Sequence, residues 1–297
     1  MRILTLMVAA LVATALPALA LADQPSATAT LAPAASTAPA TPAPTVTPTG
    51  APPYPCTNIN ADVNRPSVST SVCAVQPRHV VVETGYTNTT TTGVGANSTT
   101  NVPQAFIRTG IGPRIEVNLT PPSAESTNNG IASTSGTSDI GFGLKAVLGY
   151  SARGLYGIGG SMLMPTGSAA FTNGANTYEL TLNGSYSLTS TLSLFGTAGF
   201  ASLVGTDANG NLARFGSFIP SVGLTYSLPS SWYVFVEGAD FGKVTPNGGN
   251  RLLVDYGVQK ASGRVQFDAE AGNALNVVNG SRYHYIGAGV SALFGKT

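Results

Sequence analysis

The side chains best suited to chemistry are few. The chain has two histidines and two cysteines among 297 residues. His79 and His284 each stand alone at a strand-like segment's end, where a histidine satisfied by its neighbours is the ordinary reading. A hydrolase would need serine, histidine and acid on adjacent strand ends. A meeting of His79 with His284 across a closed sheet would keep that option open. No Gly-x-Ser-x-Gly elbow and no zinc-ligand spacing occurs. Asp207-Ala208-Asn209-Gly210-Asn211 starts like a calcium loop, but the downstream Glu of an EF-hand is missing, so it reads as a turn. The expectation is no catalytic residue, no resident metal and no cofactor.

The remaining chemistry is charge, and charge is scarce. Charged residues make up 9% of the chain, against roughly 25% in soluble domains. A net charge of +1 gives no basic stripe for nucleic acid. What matters is where the charges fall. From Asp139 to Tyr150, one alternate set is Asp139, Gly141, Gly143, Lys145, Val147 and Gly149, and the other is Ile140, Phe142, Leu144, Ala146, Leu148 and Tyr150. A strand sends these sets to opposite faces, whereas a helix would bury the charges among Leu and Phe. The strand is also as long as the roughly 9–11 residues that a tilted strand needs to cross a bilayer.

The same parity recurs along the chain. Glu83, Arg108, Arg114, Glu116, Asp139, Lys145, Glu179, Glu237, Asp255, Arg264, Asp268 and Glu270 all fall on polar alternate positions. A charge on a lipid-facing position at mid-membrane costs ~2–4 kcal/mol for Arg or Lys. These residues are therefore expected to face a lumen, as an ion network that holds the barrel's shape or, less simply, as a substrate site.

The elements that position them are strands. Expected segments are Arg78–Tyr86, Pro103–Ile111, Arg114–Leu119, Asp139–Tyr150, Leu155–Met164 and Thr177–Leu188, then Leu192–Leu203, Phe215–Leu228, Trp232–Phe241, Arg251–Lys260, Arg264–Ala274 and Arg282–Phe294. About twelve strands is an even number, as bacterial single-chain barrels require. Connections alternate: Gly112-Pro113, Ser151–Arg153 and Thr189-Ser190 are short, whereas Thr87–Val102, Thr120–Ser138 and Pro165–Asn176 are long. The expected fold is all-β, an antiparallel transmembrane β-barrel with short periplasmic turns and longer outer loops. Aromatics of the apolar parity gather near strand ends: Tyr150, Tyr186, Tyr226, Trp232 and Phe294 at one end, and Tyr178, Phe200 and Phe218 at the other. Two belts at the two membrane interfaces are expected. The last strand ends on Phe294 and resembles the C-terminal signal read by outer-membrane insertion machinery, although Gly295-Lys296-Thr297 follow it.

Ahead of the strands, Met1 to Ala22 reads as a secretory signal, with Arg2 before an apolar core and small residues at Ala20 and Ala22. Residues 23–76 read as a Pro/Ala/Thr-rich disordered tether in the periplasm, a spacer or a cell-wall contact. Cys56 and Cys73 are expected to pair, as a small clasp just before a barrel of residues 77–297.

Three stretches resemble one family. Asp139-Ile140-Gly141-Phe142-Gly143-Leu144-Lys145 is similar to its D-hydrophobic-x-x-G-x-K strand. Met162-Leu163-Met164-Pro165-Thr166-Gly167 is similar to its L-P-T-G strand end. Val254-Asp255-Tyr256-Gly257 with Val265-Gln266-Phe267-Asp268 resembles its paired late strands. The family is that of outer-membrane barrel transporters of a meta-pathway of phenol degradation, and the resemblance spans roughly Arg78 to Phe294. It implies uptake of small, often aromatic or hydrophobic, compounds and transfers no site residue. Three readings follow: a channel or transporter for small solutes, a structural or adhesive barrel with an occluded lumen, and a secreted soluble β-sandwich. The expected partners are outer-membrane lipids and the insertion machinery, with the cell wall reached through the tether.

Overall fold

The computed structural model describes residues 54–295. The secretory signal and residues 23–53 of the expected tether lie outside the described residues. The strands are β1 His79–Gly93, β2 Asn97–Val102, β3 Phe106–Gly112, β4 Ile115–Thr120, β5 Ala124–Asn128, β6 Ser133–Thr137, β7 Ile140–Tyr150 and β8 Gly154–Met164. They continue as β9 Thr177–Ser187, β10 Leu192–Thr206, β11 Leu212–Leu228, β12 Trp232–Lys243, β13 Asn250–Ser262, β14 Val265–Ala274 and β15 Ser281–Gly295.

Each strand pairs antiparallel with its neighbours, and β15 returns to β1 in register from His79↔Gly295 to Gly93↔Ser281. The sheet is thereby closed, with no pair of stacked sheets as a sandwich would have. Three barrel staves are broken in two. β2 and β3 both pair with β1, β5 and β4 continue that order, and β6 and β7 complete it. Counting each broken stave once gives a closed antiparallel barrel of 12 strands. Two of the breaks fall at Pro103 and at Pro121-Pro122. Proline has no N–H to give to a ladder, so pairing stops there and resumes beyond.

The expected strands are present, and several run further than expected. Thr87–Val102 was expected as a long outer loop, yet Thr87 to Thr91 pair with Asn101 to Asn97, leaving a tight turn. Likewise, Thr120–Ser138 holds the hairpin of β5 and β6. These Thr/Ser/Asn-rich arms have water on both faces, so no apolar alternation marks them, although threonine suits a strand. The turns at residues 113–114, 151–153, 188–191 and 263–264 are short and share one end of the barrel with the start of β1 and the end of β15.

Exposure alternates as parity requires. On β14, Gln266 and Asp268 are buried while Phe267 is 55% exposed. On β9, Thr181 and Asn183 are buried between outward Leu180 and Leu182. The outward face is thus apolar and the inward face polar. The buried apolar core lies inside the barrel, where residues 54–76 meet the wall: Ile59, Val63 and Val75 pack with Val81 and Ala261, and Cys56, Val72, Cys73 and Ala74 pack with Val147 and Leu155.

That segment leaves the lumen over β3. A Cβ added to Gly110 would lie 2.1 Å from the Gln76 carbonyl and 2.3 Å from that of Val75. Gly110→Ala should therefore lower stability by about 1–3 kcal/mol, because backbone rather than a flexible side chain must move. Gly238→Ala, which meets nothing within 4 Å, should not. The temperature at which the folded band is lost in heat-modifiable gel migration reads the difference, and equal shifts would contradict the packing described.

Candidate functional site: a plugged, charge-lined lumen

Residues 54–76 form a plug within the barrel. The expected clasp is a disulfide, Cys56–Cys73, but it lies inside the barrel rather than before it. The correction has a physical cause: twenty-odd residues with one short helix, Ile59–Asp62, have no core of their own and bury their apolar side chains only against the wall. The described part of the expected tether, residues 54–76, packs against the barrel wall.

Irregular backbone exposes amides and carbonyls that must find partners once buried. The wall supplies them. Glu83 accepts from Asn64 N at 3.1 and 3.0 Å and from Arg65 N at 2.9 Å. Glu116 accepts from Val75 N at 2.8 Å. Glu237 accepts from Val68 N at 2.8 Å and Ser69 N at 2.9 Å, and also from the Ser69 hydroxyl. Cations serve the carbonyls: Arg108 donates to Cys73 O at 2.8 Å and Lys145 to Ser71 O at 2.8 Å. Arg108 also bridges Glu83 at 3.1 Å and Glu116 at 2.9 Å, and Lys145 lies 3.3 Å from Glu116.

The remaining candidates divide. Asp255 and Asp268 are buried, and Glu179 and Glu270 are half-buried. Asp139 is buried under the β8–β9 loop, where its carboxylate accepts from Gly167 N at 2.9 Å, Asn173 N at 2.9 Å and Asn173 Nδ2 at 3.0 Å. Arg114 and Arg264 do not face the lumen. Both fall in short turns and are exposed; Arg114 lies over the Tyr150 ring at 4.8 Å, and Arg264 donates to Gly295 O at 2.6 Å. Their parity was polar, but a turn residue has no inward face to occupy.

Among the aromatics, Tyr178, Tyr186, Phe200, Phe218, Tyr226, Trp232 and Phe294 are exposed on the outside. Tyr150 is not with them. A bulge between Val147 and Gly149 shifts the register, and the Tyr150 ring packs edge-on to Tyr54 of the plug at 5.4 Å. A bulge adds one residue and so reverses the parity beyond it. The two histidines do not meet either: His79 pairs with Gly295 and His284 with Thr90, at opposite ends of the seam. Asp207 caps its own loop, accepting from Asn209 N and Asn211 N at 2.9 Å.

An N-terminal segment filling the lumen was one reading of the occluded barrel; its bounds and its anchors on the wall are what sequence reasoning missed. The available signals were the run Val72-Cys73-Ala74-Val75 in a polar stretch and the cysteine pair that encloses most of it.

No protein-family model matches the chain, and no curated protein matches it in sequence. Among solved structures, an outer membrane channel from Pseudomonas putida F1 aligns with a TM-score of 0.55 and 14% identity, over 75% of this chain and 98% of that one. The NanC porin aligns at 0.49 and 12% identity, over 70% and 98%. The translocator domain of the autotransporter NalP from Neisseria meningitidis aligns at 0.45 and 17% identity, over 72% and 87%. The likeness to the first is one of fold, that of an outer-membrane β-barrel.

Two outcomes follow from the lumen. Arg108→Leu should destabilise the protein by about 3–5 kcal/mol, since it leaves buried Glu83 without a cation and Glu116 with Lys145 alone; thermal unfolding in detergent measures this. Asp62 of the plug is buried with one oxygen unpartnered, and burial pushes its carboxyl from 3.8 up to about 7 against the pull of Arg108. The folded state thus holds the proton more tightly than the unfolded one, so this contribution is full below an unfolded pKa of about 4 and falls as pH rises through about 7. Plug docking, read as protease protection, should weaken over that window in the native protein relative to Asp62→Asn. Parallel profiles would contradict it.

Proposed function

We propose that the protein is an outer-membrane channel for passive passage of small solutes, closed at rest by its own residues 54–76. The apolar outer face, with Leu144 57%, Phe267 55% and Ile286 57% exposed, suits hydrocarbon, and the buried charges suit a lumen. The exposed aromatics then serve as interfacial belts, and β15, ending on Phe294, is the strand offered to the insertion machinery. The short-turn end faces the periplasm, and the long arms face outward.

One observation carries the channel reading. A cavity of about 410 Å³ opens at the short-turn end, and one of about 790 Å³ at the long-loop end. Asn64, Arg65 and Ser67 line both, so the plug is the partition between them. The outer cavity is walled on one side by Phe241, Tyr283 and Tyr285, with ring centroids 6.3 and 6.5 Å apart. That aromatic wall supports small aromatic compounds as cargo, in keeping with the family resemblance.

The number of hydrogen bonds holding the plug favours a second reading, a structural or adhesive barrel with a permanently occluded lumen. Planar-bilayer recording separates the two. The native protein should conduct little, and a variant lacking residues 54–76 should conduct steadily. A folded variant that stays silent would overturn the channel reading and leave the occluded barrel.

A further inference from the structure

The plug crosses a trough of glycines at the barrel seam. Gly85 of β1 pairs with Gly289 of β15, and Gly289 pairs with Asp268 of β14. Arg65 lies in this trough. A Cβ on Gly85 would fall 2.5 Å from the Arg65 Cζ, and one on Gly289 would fall 2.3 Å from its Nε. A bare glycine floor lets a flat group approach the backbone this closely. At one side, Arg65 Nη2 donates to Asp268 Oδ1 at 3.2 Å and lies 3.6 Å from Glu270 Oε1. At the other, Nη1 donates to Gln104 Oε1 at 3.0 Å. This is a slot shaped for a planar, forked cation.

The slot is more acidic than Arg65 requires. Glu270 lies within electrostatic reach of Asp255, Asp268 and Glu237 as well as Arg65. Glu237 is held by the plug backbone and Ser69. Asp255 is 0% exposed, and the Tyr285 hydroxyl is set against its carboxylate. The second oxygen of Asp268 and the Arg65 Nε are buried without partners. Asp255 stands opposite Gly272, over which the Tyr285 ring lies. Arg65, Glu270, Tyr283 and Tyr285 all face the 790 Å³ outer cavity. The Arg251 guanidinium lies over the Tyr283 ring at 4.5 Å, so this aromatic wall already takes a planar cation, and a carboxylate set beside it suits another.

We propose that this slot is a binding site for small guanidinium- or amidinium-bearing cations, and that Arg65 occupies it as an internal stand-in. The proposal deepens the channel reading by naming the charge and shape of a solute. It rests on that reading for passage only, because binding requires no flux.

Calorimetry on the full chain in detergent tests it, with benzamidinium as the probe and benzamide and benzoate as neutral and anionic counterparts. Arg65→Ala keeps the backbone anchors of the plug and empties the slot. It should bind benzamidinium at least about tenfold tighter than the native protein does, and neither benzamide nor benzoate should match it. Adding Asp268→Asn and Glu270→Gln should abolish the gain while heat-modifiable migration is retained. Arg65→Gln serves the same comparison if the alanine variant does not fold. No gain on removing Arg65, equal binding of benzoate or benzamide, or survival of binding without the two carboxylates would overturn the slot. A protein that binds benzamidinium as expected, yet stays silent even when residues 54–76 are removed from the folded barrel, would overturn the channel reading and leave the slot intact.

Discussion

A carboxylate on a barrel strand whose outer face is apolar has one direction open to it, and what it meets there decides the rest of this structure. Glu83, Glu116 and Glu237 are fully or almost fully buried. A charge so placed costs several kcal/mol unless it is paired and hydrogen-bonded. The plug has the complementary problem. Its backbone is mostly neither helix nor strand, so its buried amides lack partners of their own. Each solves the other's difficulty: Asn64, Arg65, Val68, Ser69 and Val75 give their N–H groups to the three glutamates. This explains how a segment too small for a core holds a defined shape. The disulfide between Cys56 and Cys73 limits its freedom, and the wall provides both polar partners and apolar contacts.

The wall is electrostatically lopsided. On the β3, β4 and β7 side, Arg108 and Lys145 neutralise Glu83 and Glu116 and still reach plug carbonyls. Around β13 to β15, Asp268 and Glu270 share the Arg65 guanidinium of the plug, while the wall's own Arg251 lies over the Tyr283 ring at 4.5 Å. The first region is therefore internally satisfied with the plug in place, as a structural clamp should be. The second depends on a side chain that the wall does not itself carry.

Parity was legible because lipid and lumen demand opposite side chains at every second residue, as in Val265-Gln266-Phe267-Asp268. Where that demand lapses, the sequence falls silent. The arms of β1, β2, β5 and β6 are mostly Thr, Ser and Asn, because no apolar face is required of them. The bulge after Val147 cannot be read from composition, and it turns Tyr150 from the outer belt to the plug. Arg114 and Arg264 kept the right parity one step too far into turns. The plug's packing leaves little pattern in the sequence: Ile59, Val63 and Val75 gather against Val81 and Ala261, and Val72 against Val147 and Leu155, contacts set by the wall rather than by a repeating element.

The short motifs that resemble a transporter family acquire a physical meaning in this fold. Asp139 opens one of them and Pro165-Thr166-Gly167 closes another. In the structure they touch: the Asp139 carboxylate takes the Gly167 and Asn173 amides and so fastens the β8–β9 loop beside the mouth of the outer cavity. Gly167 suits the approach, because a Cβ there would lie 2.6 Å from the Thr137 carbonyl and 3.0 Å from the Asp139 carboxylate. The paired late strands are close-packed in the same sense, Gly257 lying against the Phe235 ring and the Ala269 carbonyl. Asp139 and Gly167 keep a loop in place at the rim of the outer cavity, while Asp268 of the late strands reaches Arg65 in the trough. The same short stretches thus contribute both to the frame and, through Asp255 and Asp268, to the acidic wall beside the trough.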